Sequence, residues 1–137
     1  MPWRNGGGTT RQLWRSEDVR VSVADLVVDG WFSTFPGVDR TFVPESGGFE
    51  LRVDGEAQTT AALQPVRFPG EAAVEVTGLT GVPIRALNVM TRRGRCRADV
   101  AVHPIDVPPP VEGALGVPLA DHLVHIHLFP DPTVPLP

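Results

Sequence analysis

Cysteine is all but missing from this chain: Cys96 is the only one in 137 residues. No internal disulfide can form, and no cage of thiolates can hold a metal ion. A reducing compartment fits that usage, and the cytoplasm is the expected location. Lysine is missing altogether, since all twelve basic residues are arginine. Two causes produce such a bias: the codon usage of a G+C-rich genome, and a use for planar forks that grip anions with paired donors. Apolar runs are short. None approaches the ~18 residues that a membrane helix needs, and glycines stand where an export leader would carry its apolar region, so neither membrane association nor secretion is expected.

Basic charge is equally scarce. Residues 1 to 100 hold twelve charges of each sign, and the four acids beyond them, Asp106, Glu112, Asp121 and Asp131, account for the formal net charge of −4. Nucleic-acid binding requires a basic stripe, and none is expected here. The one cluster, Arg92, Arg93, Arg95 and Arg97, lacks interleaved aromatics and reads as a solvated strand. Phosphate loops, dinucleotide fingerprints and nucleophile elbows are missing too. Gly6-Gly7-Gly8 precedes no helix pattern, and Ser33, Ser46 and Cys96 have no partner fixed by spacing. Enzymatic activity is left open, and no cofactor is implied.

What the chain does carry is the composition of one ordinary folded domain over residues 1–137, with 42% hydrophobic and 20% charged residues. Turn signals fall about every ten residues, through Asp29-Gly30, Pro36-Gly37, Asp54-Gly55, Pro69-Gly70, Gly78 and Gly81, a rhythm that predicts an all-β sandwich or barrel. Val19, Val21 and Val23 alternate with Asp18, Arg20 and Ser22, the period of two that turns one face of a strand over residues 19–27 to a core. Residues 41–43 and 49–53 read as a hairpin round a Gly-rich turn, with Pro44 marking an edge or a bulge. Further strands are predicted over 59–63, 65–68, 73–77, 84–90 and 123–129. From His103 onward nine of the fifteen prolines appear, so residues 101–137 read as linker and tail round that last strand. Phe32 and Phe35 anchor a loop in the core or wall a pocket. Near the start, Gly6, Gly7 and Gly8 free the backbone to aim successive N–H groups at one centre, beside Trp3, Arg4, Asn5 and Arg11. That stretch is a simple bend over a buried tryptophan or a turn that holds an anion.

Three blocks of sequence resemble the HutD/Ves family of cupin-like bacterial proteins. The first is Pro2-Trp3-Arg4-Asn5-Gly6-Gly7-Gly8-Thr9-Thr10-Arg11. The second joins Ser22-Val23-Ala24-Asp25 to Asp29-Gly30-Trp31-Phe32-Ser33-Thr34-Phe35-Pro36-Gly37-Val38-Asp39-Arg40-Thr41, and the third is Asn88-Val89-Met90-Thr91-Arg92-Arg93-Gly94. Together they cover about residues 2 to 97. The resemblance implies a cupin-like β-sandwich or barrel with a second cupin half shortened in residues 101–137, and, in relatives, a strand preceding the first block. It places Trp3, Arg4, Asn5, Arg40 and Asn88 on segments lining the barrel mouth. The implied ligand is a small anionic metabolite, a carboxylate or a formylated compound, and the implied role is a regulator linked to histidine utilisation. Arg85-Ala86-Leu87-Asn88 replaces the family's usual Arg-Asp-Phe-Asn, so a carboxylate and an aromatic are lost near the expected site.

Two rival readings remain. His125 and His127 share one face of a strand, which is how metal-dependent cupins present an imidazole pair, and His122 lies just upstream. A metal-dependent enzyme would use those three, whereas a plain solvent-facing edge explains the pair without metal. The other rival is a non-catalytic interaction module whose uncovered sheet edges pair with another chain, a homodimer included.

Overall fold

A computed structural model describes residues 8–106 and 115–130 of the chain. Every regular element among them is a strand: β1 (Gly8–Arg15), β2 (Val19–Leu26), β3 (Gly30–Trp31), β4 (Val38–Pro44), β5 (Glu50–Val53), β6 (Glu56–Thr59), β7 (Val66–Pro69), β8 (Val74–Thr77), β9 (Ile84–Arg92), β10 (Cys96–Pro104), β11 (Leu115–Leu119) and β12 (His122–Pro130). They form a five-stranded sheet in the order β1-β2-β9-β4-β7, a four-stranded sheet β3-β8-β5-β6 and a three-stranded sheet β10-β12-β11. The sandwich form of the expected fold is the one observed, with open sheets in place of a closed barrel.

The five-stranded sheet is the middle layer. Val19, Val21 and Val23 of β2 join Leu87 and Val89 of β9 and Val43 of β4 in a buried cluster with Ala98, Leu119, Val124 and Ile126 of the three-stranded sheet. The opposite face sends Leu26, Phe42, Phe68 and Ala86 into a second cluster with Phe49, Leu51, Val74 and Val76. Because both faces are covered, β9 reads as a nearly unbroken apolar run, and Ala86 through Thr91 are all buried. The Asp54-Gly55 turn joins β5 to β6 with both residues at positive φ (49° and 86°), the backbone that this dipeptide favours in a tight hairpin.

Three expectations are corrected. Residues 41–43 and 49–53 are not a hairpin: β4 pairs with β7 and β9, β5 pairs with β6 and β8, and the Gly-rich stretch carries the chain from one sheet to the other. The described residues 101–106 and 115–130 are more regular than their prolines implied, because Pro104 and Pro130 sit at strand ends and Pro118 lies in an edge strand, places where a missing N–H is tolerated. Finally, β12 is the central strand of its sheet and His125 is 4% exposed, so it does not face solvent. Its ring lies 5.0 Å from that of His103, centroid to centroid.

Candidate functional site

Residues paired across neighbouring strands point to the same side of a sheet, so register alone sorts the face turned toward the four-stranded sheet. One transverse row runs Arg20, Met90, Arg40, Phe68 through β2, β9, β4 and β7. The next runs Gln12, Ser22, Asn88, Phe42, Val66. Farther along come Ala24 with Ala86, then Leu26 with Ile84. This face is therefore apolar at one end and strongly polar at the other, and its polar end reaches solvent at the exposed Gln12.

Arg40 is the centre of that polar end. It is 6% exposed, a depth at which an arginine is normally paired with a carboxylate. Among the described residues its partners are neutral: Nη1 donates to the Ser33 carbonyl at 3.0 Å and Nη2 to Asn88 Oδ1 at 3.4 Å. Three aromatic rings surround the guanidinium, with Phe32 and Phe35 at 5.3 Å and Phe68 at 5.1 Å from its central carbon. The attraction of each ring's negative face replaces part of the lost hydration. Phe32 in turn packs on Phe42, with 5.6 Å between ring centres. Burial first, and the charge of Arg20 second, lower the Arg40 pKa to about 10. The Nε–H groups of both Arg40 and Arg20 are buried without a hydrogen-bond partner among the described residues. Arg40 and Arg20 thus share one transverse row of this face, and each keeps a buried donor that a negatively charged acceptor would satisfy, with no acid paired to either among the described residues.

Of the residues expected to line the mouth, Arg40 and Asn88 come together here, and Trp3, Arg4 and Asn5 lie outside the described residues. Arg20 escaped the sequence reading, because its alternation with valines resembles an ordinary solvent-facing position. The signal that distinguishes it is the remainder of its own face: Ser22 is polar, but Ala24 and Leu26 turn apolar, so the face enters a core.

His122, His125 and His127 do not come together as the metal reading required. His122 lies on the face opposite His125 by strand alternation, and its Nδ1 stands 2.7 Å from Asp121 Oδ1. His127 packs beside Phe129. No group of three His, Cys, Asp or Glu side chains able to hold a metal occurs among the described residues. The arginines of the 92–97 cluster are largely tied to acids: Arg92 and Arg95 approach Asp18 at 3.7 and 3.8 Å, and Arg93 reaches Asp39 and Glu71. A separate cleft of about 420 Å³, lined by Val53, Asp54, Glu56, Ala57, Gln58 and Arg67, brings two carboxylates to one guanidinium and has the opposite charge character.

An open β-sandwich whose inner face gathers polar residues toward one end defines a cupin-like protein. The cupin domain of a transcriptional regulator from Enterobacter cloacae superposes with a TM-score of 0.55 at 20% identity, covering 62% of this chain and 96% of that one, a likeness of fold alone. Sequence takes the assignment further. The HutD family profile matches residues 1–121, and the chain belongs to the HutD family. Protein Ves of Citrobacter koseri is 39% identical over 109 residues, which are 73% of this chain and 56% of that protein. The structure of HutD from Pseudomonas fluorescens SBW25 superposes with a TM-score of 0.70 at 34% identity, over 76% of this chain and 61% of that one. The chain thus spans between half and two thirds of the length of these relatives. No helix among the described residues is long and apolar enough to cross a membrane.

Proposed function

We propose that this chain binds a small anionic metabolite, a carboxylate or a formylated compound, at the polar end of its middle sheet. The observation that carries the reading is the pair of unused, buried Nε–H donors on Arg40 and Arg20 with no acid among the described residues to neutralise them. A carboxylate between the two forks removes the repulsion that Arg20 exerts on Arg40. Each charge-assisted hydrogen bond so formed contributes about 1.5–3 kcal/mol when shielded from water. Asn88 and Ser22 supply neutral polar groups on the adjoining row, and Phe32, Phe35 and Phe68 exclude water from one side. Arg40 is the principal fork, Arg20 the second cation, and Asn88 the group that orients Arg40.

Kinship with a protein called HutD supports a cytoplasmic role in regulating histidine utilisation, with a small acid as the signal. A thermal-shift screen of formate, acetate, succinate and glutamate tests the binding. An acid at 100 times its Kd adds about 2.7 kcal/mol of stability. A flat response to every acid, unchanged by Arg40→Ala, removes the reading's support.

A homodimer is the second reading, favoured by β1. This eight-residue strand lies at the edge of the five-stranded sheet, and a register break between Gln12 and Trp14 leaves Leu13 and Trp14 39% and 40% exposed. Edge strands of this kind pair with other strands. Sedimentation of the purified chain decides it, and a monomer at every concentration counts against it.

A further inference from the structure

Two of the three rings around Arg40, and the carbonyl that receives its Nη1, come from the loop over residues 32–37 and from no strand. Whatever fixes that loop fixes the guanidinium. The attachment is dense. Phe35 N donates to Gly70 O and Gly70 N to Val38 O, each at 2.7 Å, while Gly37 N donates to Glu71 Oε2 at 2.9 Å. From the other side Arg93 N donates to Gly37 O at 2.9 Å. The Arg93 side chain grips Glu71 with two parallel bonds, Nη1 to Oε2 at 2.9 Å and Nη2 to Oε1 at 2.8 Å, and Nη2 also reaches Val38 O at 2.9 Å. Its Nε donates to Asp39 Oδ1 at 3.0 Å. Gly70 permits the close approach, since a Cβ there would lie 2.2 Å from Phe35 O and 2.5 Å from Val38 Cγ2.

An exposed ion pair by itself contributes little to folding stability. Here the guanidinium has every nitrogen engaged, and its partners are the acid that caps the loop's Gly37 amide and the two residues, Val38 and Asp39, that directly follow the loop. The arrangement specifies loop position far more than it stabilises the sheet. We propose that Glu71 and Arg93 are positioning residues of the anion site, clamping loop 32–37 so that Arg40 is presented in one fixed orientation. The proposal rests on reading Arg40 as the anion-binding fork. Its physical basis is preorganisation: a fork already held in its binding geometry loses less conformational freedom when the acid arrives.

The test follows the Arg40 Nε–Hε signal by NMR, identified by its loss in Arg40→Lys and displaced by the ring currents of the cage. Glu71→Gln and Arg93→Gln remove the charge pair, and Gly70→Ala pushes the loop off by bulk alone. Arg85→Gln, which breaks the exposed Arg85–Asp25 pair, is the control for the charge change of Arg93→Gln. The first three variants are expected to move the Arg40 signal toward that of a free arginine and to weaken succinate binding about tenfold, while Arg85→Gln does neither. An unchanged Arg40 signal in Glu71→Gln and Arg93→Gln overturns the proposal, as does a displaced signal with unchanged succinate affinity. If the unmutated chain binds none of formate, acetate, succinate and glutamate, the anion reading fails separately, and the Arg40 signal still decides whether Glu71 and Arg93 position that side chain.

Discussion

Replacing Arg40 by methionine should make the unliganded protein more stable while abolishing its response to acids. Burial and the charge of Arg20 lower the Arg40 pKa to about 10. At neutral pH the folded and unfolded states both keep the proton, so the whole penalty of holding that charge inside is present. At about 1.4 kcal/mol per pH unit, the displacement from the ordinary arginine value amounts to roughly 3 kcal/mol. Methionine fills much of the same volume without charge, and its sulfur packs favourably against the three rings at about 0.3–1.5 kcal/mol. Against this stand the lost attraction of guanidinium for aromatic faces and the acceptors left behind. Ser33 is exposed and its carbonyl regains water. Asn88 Oδ1 is buried but loses only a long bond of 3.4 Å, at a cost of about 1 kcal/mol. The balance is a gain of about 1 kcal/mol, or roughly 3–5 °C in Tm for a chain of this size. Differential scanning calorimetry with and without succinate reads both halves of the prediction. A loss of 3 °C or more in the absence of acid would refute the reasoning, because it would make Arg40 a structural cornerstone and not a stored cost of binding.

Other outcomes follow from the same geometry. Leu87, fully buried in the layer between two sheets, should cost about 2–5 kcal/mol when cut to alanine, measured by urea unfolding. The Glu71 carboxyl is held down to about 2 by its bonds from Arg93 and then from the Gly37 amide. Its contribution is therefore complete above the ordinary glutamate range and disappears only as pH falls through about 2. A carbon-detected NMR titration should find the Glu71 midpoint near 2, and a midpoint at about 4 or above would contradict the clamp. Trp14→Lys should shift any dimer–monomer equilibrium toward monomer in sedimentation, since it places a charge on edge strand β1.

Much of the fold was legible where a residue's neighbours in sequence are also its neighbours in space. The alternation over residues 19–27 and the Asp54-Gly55 turn are of that kind, and the three family blocks added the cupin-like class. Legibility failed where pairing is distant. Pro44 through Gly48 looks like any turn, and nothing local says that residue 43 will lie beside residue 87 and not beside residue 50. In β10 and β12 the polar residues hid the strands' surroundings, since buried His125 packs against the tilted ring of His103, which lies 22 positions earlier. Arg40 and Asn88 could be named from the family blocks, but their contact depends on β4 lying next to β9. Arg20 was marked only by Ala24 and Leu26 farther along its own face, because it takes a three-layer arrangement to turn the polar face of β2 inward. Glu71 and Arg93 were similarly hidden: one followed a turn and the other sat in a run of arginines, and their meeting over Gly37 is a product of the fold.

The central claim is that Arg40 and Arg20 await a negative charge. Isothermal titration of formate, acetate, succinate and glutamate into the unmutated chain, at low salt and again with Arg40→Met and Arg20→Met, tests it most directly. The account predicts saturable binding of at least one acid, lost in Arg40→Met and weakened about tenfold or more in Arg20→Met. Binding that survives both substitutions unchanged, or no binding of any acid, would contradict it.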